Sequence, residues 1–347
     1  MRIRALDSIR GFLLLQMTLD HFGKPISYYL YQCFGFFSAA EGFFFLSGFV
    51  GMMAATSKQA KDPKQCWMRR RAVRIWVYHV LTLLGLCLLA WTCIPGLKEY
   101  MGEILEHPVV GSFWSMLLVH TPAWLDVLPL YVIYLLVGSF VFPLMVKAKN
   151  KRTVVLLWIP SLVVWLLAQF GLRSVVDSLF PHWIYHGFFD PYGWQFAYFT
   201  GAATIAFWKR AGQKTIRTVR FATPFLLAFF IFCFLWSHQV IPLKMPTEFL
   251  VSKEHLGAFR FANFYVFMLL ICSIVRKKQS LLDFRPLNTI GRHSLDVYTA
   301  HIVMVYMWFT VTPKSIRYHE PWDIIIPVLV CVLLWVLAKL REPKTQK

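Results

Sequence analysis

Apolar segments long enough to cross a bilayer recur from one end of the chain to the other. The hydrocarbon core is about 30 Å thick and a helix rises 1.5 Å per residue, so roughly 20 apolar residues mark each crossing. By that measure helices fall near 5–22, 34–55, 74–94, 126–146, 153–170, 192–208, 221–241, 258–275, 288–311 and 322–340. The stretch 108–125 belongs to none of them, and Trp114 to His120 reads as interfacial or re-entrant. The pattern predicts an all-α fold, a polytopic transmembrane helix bundle of about ten spans with both termini on one side. No internal repeat or Gly/Ser linker interrupts it, so a single domain over 1–347 is expected.

The first of these helices departs from the apolar rule, because Asp7, Arg10, Asp20 and His21 lie within it. Arg10 and His21 fall on nearly the same helix face, roughly 16 Å apart along the axis. Ionisable side chains inside a bilayer cost several kcal/mol unless they meet a cavity or a partner, so they mark function by default. Buried polar residues with a purely structural role are the competing reading.

Composition agrees with the pattern. The chain is 58% hydrophobic and 15% charged, which excludes a soluble globular domain and a disordered one. A net charge of +19 would ordinarily raise the question of nucleic acid. Most of the 36 basic residues, however, flank the predicted helices on one side, from Arg2 and Arg4 through Lys58 to Arg74, Lys147 to Arg152 and Lys209 to Arg220, to Lys339 to Lys347. That sorting is a topology signal: it places both termini in the cytoplasm and makes a nucleic-acid partner unexpected. No small-residue cleavage site follows His21, so the first helix is expected to stay in the mature protein. The seven cysteines are scattered singly, indicating neither a metal site nor a disulfide framework.

Three further groups of residues carry candidate chemistry. Arg71 and Arg74, beside Arg70 at the start of the third helix, are one turn apart and could clamp a phosphate, although the positive-inside rule alone also places arginines there. Glu41 lies in a run of small and aromatic residues in the second helix and should face a cavity or a cation; a carboxylate beside His21, whether Glu41 or Asp20, could hold its tautomer. On the outer side, Pro181 to Gln195 crowds aromatic rings with His182, His186 and Asp190, and His120 to Tyr131 repeats the theme with Trp124 and Asp126. Rings with neighbouring hydrogen-bonding groups suit a sugar, and an aromatic interfacial belt has the same composition. His301, after Gly291-Arg292-His293-Ser294-Leu295-Asp296, is a secondary candidate.

Taken together, Asp7-Ser8-Ile9-Arg10-Gly11, His21, Glu41 to Gly48, Leu125 to Tyr131, Pro191 to Gln195 and Gly291 to His301 resemble the OpgC-domain family, over essentially the whole chain. The resemblance implies a branch of the acyltransferase 3 superfamily, integral membrane enzymes that move acyl groups from cytoplasmic acyl-CoA to extracytoplasmic carbohydrate. In this family the implied reaction is succinylation of osmoregulated periplasmic glucans in the inner membrane. By position, His21 resembles the catalytic histidine, Arg10 its accompanying basic residue, and Arg71 and Arg74 the Arg-x-x-Arg motif. Some superfamily members carry a fused extracytoplasmic hydrolase-like domain that this chain lacks room for, so transfer at one site in the bundle is expected.

The expected site therefore has His21, Glu41 and Asp20 as catalytic groups and Arg10, Arg71 and Arg74 on the acyl-CoA. Trp124, Asp126, His186, Asp190, Trp194 and Gln195 would meet the glycan. Succinyl-CoA or acetyl-CoA is the expected co-substrate, with no permanently bound cofactor and no metal. A succinyl group would call for an extra cation near His21, for which Arg260 and Lys24 are candidates. A transporter or flippase for a saccharide or anionic solute is the rival reading, weakened by the absence of an inverted repeat.

Overall fold

The computed structural model describes residues 3–342 except Lys24, and the side chains among them except those of 213–220. Lys24, one of the two candidate cations, thus lies outside the described residues. The described chain is helical with no strand. Its longer helices are α1 (Arg4–His21), α2 (Ala39–Lys58), α3 (Cys66–Thr92), α4 (Val127–Lys147), α5 (Lys151–Gln169), α6 (Pro191–Trp208), α7 (Gln213–Ser237), α8 (Ala258–Lys277), α9 (Arg285–Arg292), α10 (Ser294–Thr310) and α11 (Trp322–Leu340). Among the described residues six of them, α2, α3, α4, α5, α8 and α11, are long and apolar enough to cross a bilayer. With their exposed valines, leucines and isoleucines on α5 and α11, they make a multi-pass membrane bundle whose outer surface suits lipid.

Each predicted segment holds a helix, and the differences have local causes. Helix α2 starts at Ala39 rather than near 34 because Ser38 is extended and its backbone N–H donates to the Glu41 carboxylate at 3.0 Å. Helix α3 starts at Cys66, well before 74, because Asp62 accepts hydrogen bonds from the N–H groups of Cys66 and Trp67 at 3.0 and 2.9 Å. Those two amides hold the Asp62 carboxyl below its usual pKa, as anions at helix N-termini are. The ninth predicted span is broken at His293 into α9 and α10. Residues 98–116 form two short helices, and the second lies against α3, where Trp76 donates to the Met116 carbonyl at 2.8 Å.

Glycines bring two pairs of helices into backbone contact. A Cβ on Gly291 of α9 would sit 1.8 Å from the Asp7 carbonyl oxygen of α1, and one on Gly11 would sit 2.0 Å from that of Leu287. Helices α2 and α6 meet in the same way: a Cβ on Gly48 would be 1.8 Å from the Tyr198 oxygen, and one on Gly201 would be 2.1 Å from that of Phe45. Close approach through small residues is how membrane helices gain packing energy without a hydrophobic drive. Helices α1 and α2 also lie side by side, a Cβ on Gly42 falling 2.9 Å from the Leu13 side chain, and the C-terminal end of α1 and the first turn of α2 line one cavity.

Gly291→Ala should therefore lower stability by about 1–3 kcal/mol or more, read as a fall in Tm of the detergent-purified protein. Gly85→Ala, in an α3 position with open space around it, should leave Tm unchanged or raise it slightly. Equal behaviour of the two variants would refute the close-packed crossing.

Candidate functional site

Helix α1 ends at His21, and its ring is received by α10. The Nδ1 atom of His21 lies 3.3 Å from Nε2 of His301, and the two imidazoles stack with centroids 5.4 Å apart. His301 is fully buried and packs edge-on against Tyr298 at 5.0 Å. One nitrogen of His21 is therefore occupied by another imidazole, and the ring also lines a cavity of about 360 Å³, within the roughly 300–1,000 Å³ usual for small-molecule sites.

That cavity is built from element ends. Met17 and Asp20 come from the last turns of α1, Ser38 to Ala40 from the start of α2, and Trp124 and Asp126 from the segment before α4. Tyr185, Phe188 and Phe189 precede α6, and Lys253 precedes α8. The connecting segments are tied to one another: Thr121 N–H donates to the Tyr185 carbonyl at 2.7 Å, Tyr185 N–H to His120 Nδ1 at 2.9 Å, and Phe188 N–H to Asp126 Oδ2 at 3.0 Å. Burial pulls the His120 pKa down to about 4, which keeps the ring neutral and its Nδ1 able to accept. Gly187 has φ +81 with Thr121 Oγ1 2.6 Å from where a Cβ would be, so this crossing of strands of loop requires glycine.

The carboxylates expected beside His21 are held by other groups. Glu41 and Arg260 are both essentially inaccessible and form an ion pair through Arg260 Nε, while Ser38 Oγ donates to Glu41 at 2.9 Å and accepts from Arg260 at 3.3 Å. This corrects the expectation that Glu41 could orient the imidazole: its charge is satisfied by Arg260, so neither is free for the cavity. Asp20 accepts from Ser27 Oγ at 2.9 Å and faces Lys253 Nζ at 3.9 Å. It lines the cavity without orienting His21, a role the geometry gives to His301.

The outer aromatic segment divides. Trp124 and Asp126 line the cavity, with the Trp124 ring stacked on Phe309 at 5.1 Å. Asp190, Trp194 and Gln195 do not, which corrects the sugar-platform expectation for them. Trp194 is 0% exposed and donates its Nε1 hydrogen to the carbonyls of Lys253 and Glu254, at 2.9 and 3.0 Å. Asp190 caps α6 through the N–H groups of Tyr192 and Gly193 and meets His255 Nδ1 at 3.0 Å. Gln195 bridges to Ser161 of α5, accepting from its hydroxyl at 2.6 Å. Asp190 and Trp194 thus fasten the loop that carries Lys253. His186 pairs with Asp177 at 2.9 Å, away from the cavity lining.

At the other end of α1 from His21, Arg10 is nearly buried beside Asp7 at 3.7 Å, whereas Arg71 and Arg74 are exposed on α3. Arg74 lies over the Tyr78 ring at 5.9 Å, and the Tyr78 hydroxyl donates to Asp296 Oδ1 of α10 at 2.7 Å. From Tyr131 a line of packed rings leads to the imidazole pair: Phe43 at 5.4 Å, Tyr298 a further 6.3 Å, then His301. This aromatic column joins the start of α4 to the imidazole pair.

No cluster of three or more metal-binding side chains occurs among the described residues. Lys253 escaped the sequence analysis because it stands in a short polar run, Ser252-Lys253-Glu254-His255, that reads as an ordinary loop. The one available signal was its side: a lone cation among outer connections where few others lie.

Comparison with curated proteins finds no match. A family model described as OpgC protein matches residues 2–346, the whole length of this membrane bundle and every element of the cavity. The chain belongs to the OpgC family, a membrane transferase family related to glucan succinylation.

Proposed function

We propose that the protein is an O-acyltransferase of the cytoplasmic membrane that moves an acyl group, succinyl in the first instance, from cytoplasmic acyl-CoA to hydroxyls of a periplasmic glucan or related envelope polysaccharide. The observation that carries this reading is the His21–His301 contact at the wall of a cavity that also holds Asp20, Trp124, Asp126 and Lys253. Family membership supports the transferase class.

In the proposed mechanism His21 is the general base. Its Nδ1–H donates to Nε2 of His301, which leaves the lone pair of Nε2 for a substrate. A glucan hydroxyl in the cavity gives its proton to that nitrogen as the oxygen attacks the thioester carbonyl carbon. The new C–O ester bond forms, the C–S bond breaks, and the departing thiolate takes the proton back, releasing CoA thiol and neutral His21. No covalent acyl-enzyme is required. His301 is a positioning residue: it fixes the tautomer and remains an acceptor for the imidazolium that forms transiently. Trp124 and Asp126 supply the apolar face and the acceptor that a pyranose needs. Arg10, Arg71 and Arg74 hold the phosphates of the CoA moiety on the cytoplasmic side, with the aromatic column flanking the pantetheine arm on its way to His21.

His21→Ala should lower transfer by about 10²- to 10⁴-fold in protein that still elutes as a folded species from size exclusion. His301→Ala should lower kcat roughly tenfold or more, the worth of one hydrogen bond, and His301→Gln, which keeps an acceptor, should recover part of that. Wild-type turnover in His21→Ala would eliminate the base assignment; equal loss in both His301 variants would reduce His301 to a packing role.

Neutral substitutions address the donor site separately. Arg71→Gln and Arg74→Gln are each expected to raise KM for acyl-CoA by about tenfold or more, as loss of a charged hydrogen bond does, with kcat nearly preserved. Unchanged KM in both would remove these arginines from the donor site.

A further inference from the structure

The cavity contains a cation to which the proton transfer at His21 gives no role. Lys253 lines it together with His21, and its side chain is only 20% exposed. Its ammonium lies 4.5 Å over the Tyr31 ring and 5.9 Å from the rings of Phe188 and Phe189, an aromatic cage of the kind that receives cations. The nearest carboxylate, Asp20 Oδ2, is 3.9 Å away. That is close enough to hold the charge in place and too far for a hydrogen bond, so the three N–H donors of the ammonium are not saturated by Asp20.

The other cations near the site are committed elsewhere. Arg260 is locked by Glu41 and Ser38 and also donates to the Val251 carbonyl at 3.4 Å. Arg173 is engaged by the carbonyls of Gly187 and Phe188 and by Glu254. Arg10 lies roughly 16 Å from His21 along α1. Among the described residues lining the cavity, Lys253 supplies the cationic charge.

Its position is also built, not incidental. The Lys253 carbonyl accepts from Trp194 Nε1, the Glu254 carbonyl from the Asp190 N–H at 3.0 Å, and the Leu256 carbonyl from Trp165 Nε1 at 2.9 Å. A Cβ on Gly193 would come within 2.5 Å of the His255 oxygen. Two helices therefore clamp this loop backbone and aim one lysine at the cavity. Burial lowers the lysine pKa, and the Asp20 carboxylate acts against that.

We propose that Lys253 is the donor-specificity residue: its ammonium grips the free carboxylate at the far end of a dicarboxylic acyl group while the thioester end lies at His21. This rests on the acyltransferase reading above and adds to it the residue that distinguishes a succinyl-type donor from a simple alkanoyl one. Asp20 serves as the counter-ion that holds the ammonium at the wall, and its place is taken in part by the substrate carboxylate on binding.

The test is transfer to a glucan oligosaccharide by purified protein in nanodiscs, with succinyl-CoA and butyryl-CoA compared. Butyryl-CoA keeps the four-carbon chain and replaces the carboxylate with a methyl group. Wild type should favour succinyl-CoA, and Lys253→Met should shrink the ratio of the two kcat/KM values by about 10- to 100-fold, the loss of one charged hydrogen bond. Lys253→Arg should retain most of the preference. An unchanged ratio in Lys253→Met, or a loss of the same size with both donors, would overturn the assignment while leaving the acyltransferase reading intact. A wild type that transfers from neither donor, with its fold intact, would overturn both.

Discussion

The buried ion pair between Glu41 and Arg260 is the interaction on which the rest of the site depends. Two full charges are withdrawn from water at the junction of α2 and α8, and such a pair is strongly destabilising only when one member is removed, by about 3–5 kcal/mol. Here further hydrogen bonds support the pair: Ser38 serves both partners, and Arg260 reaches on to the Val251 carbonyl. The pair thereby pins the first turn of α2 to the first turn of α8 and to the loop just before it. It also sorts the chemistry. With Glu41 and Arg260 neutralising each other, the charge that can act in the cavity is left to Asp20, Asp126 and Lys253, and the orientation of His21 is left to His301.

The same economy of partners explains the architecture of the outer loops. Backbone that is buried away from water must be hydrogen-bonded, and in this bundle the loops satisfy one another and the helix ends beneath them. Residues 120–126 are stitched to 185–188, and residues 253–256 to the start of α6 and the body of α5. Side chains that face the cavity are thus carried on loops held as firmly as helices, which is the preorganisation that positioning of substrates and proton transfer require.

How much of this was legible in the sequence differs by level. The helices were, because a run of apolar residues of bilayer length has no other stable structure in lipid; the break at His293 was missed although the polar run Gly291-Arg292-His293-Ser294 crosses it. His21 and Arg10 stood out because charge inside a span is rare. Their partners could not be read, since Glu41 had a basic residue available on several helices and periodicity does not say which helix is the neighbour. The Ser38-x-x-Glu41 spacing, a capping-box pattern that starting this helix near 34 passes over, is the local signal for a helix start, where the Glu41 carboxylate meets the Ser38 amide. In the outer segment, an aromatic residue that meets a sugar and one that packs a loop have the same composition: Trp124 lines the cavity and Trp194 is sealed beneath it. Only the fold separates the two.

The central claim is that acyl transfer is completed in one step at His21. It is tested most directly by incubating the purified protein in nanodiscs with succinyl-CoA, with and without a glucan oligosaccharide, and following CoA thiol release and the masses of glycan and protein together. The account predicts thiol release matched one-for-one by a succinyl ester on the glycan, with no acyl adduct on the protein at any time. An acyl-protein adduct would contradict the one-step mechanism. No thiol release, with the saccharide instead crossing the bilayer of proteoliposomes, would show a transporter and contradict the account as a whole.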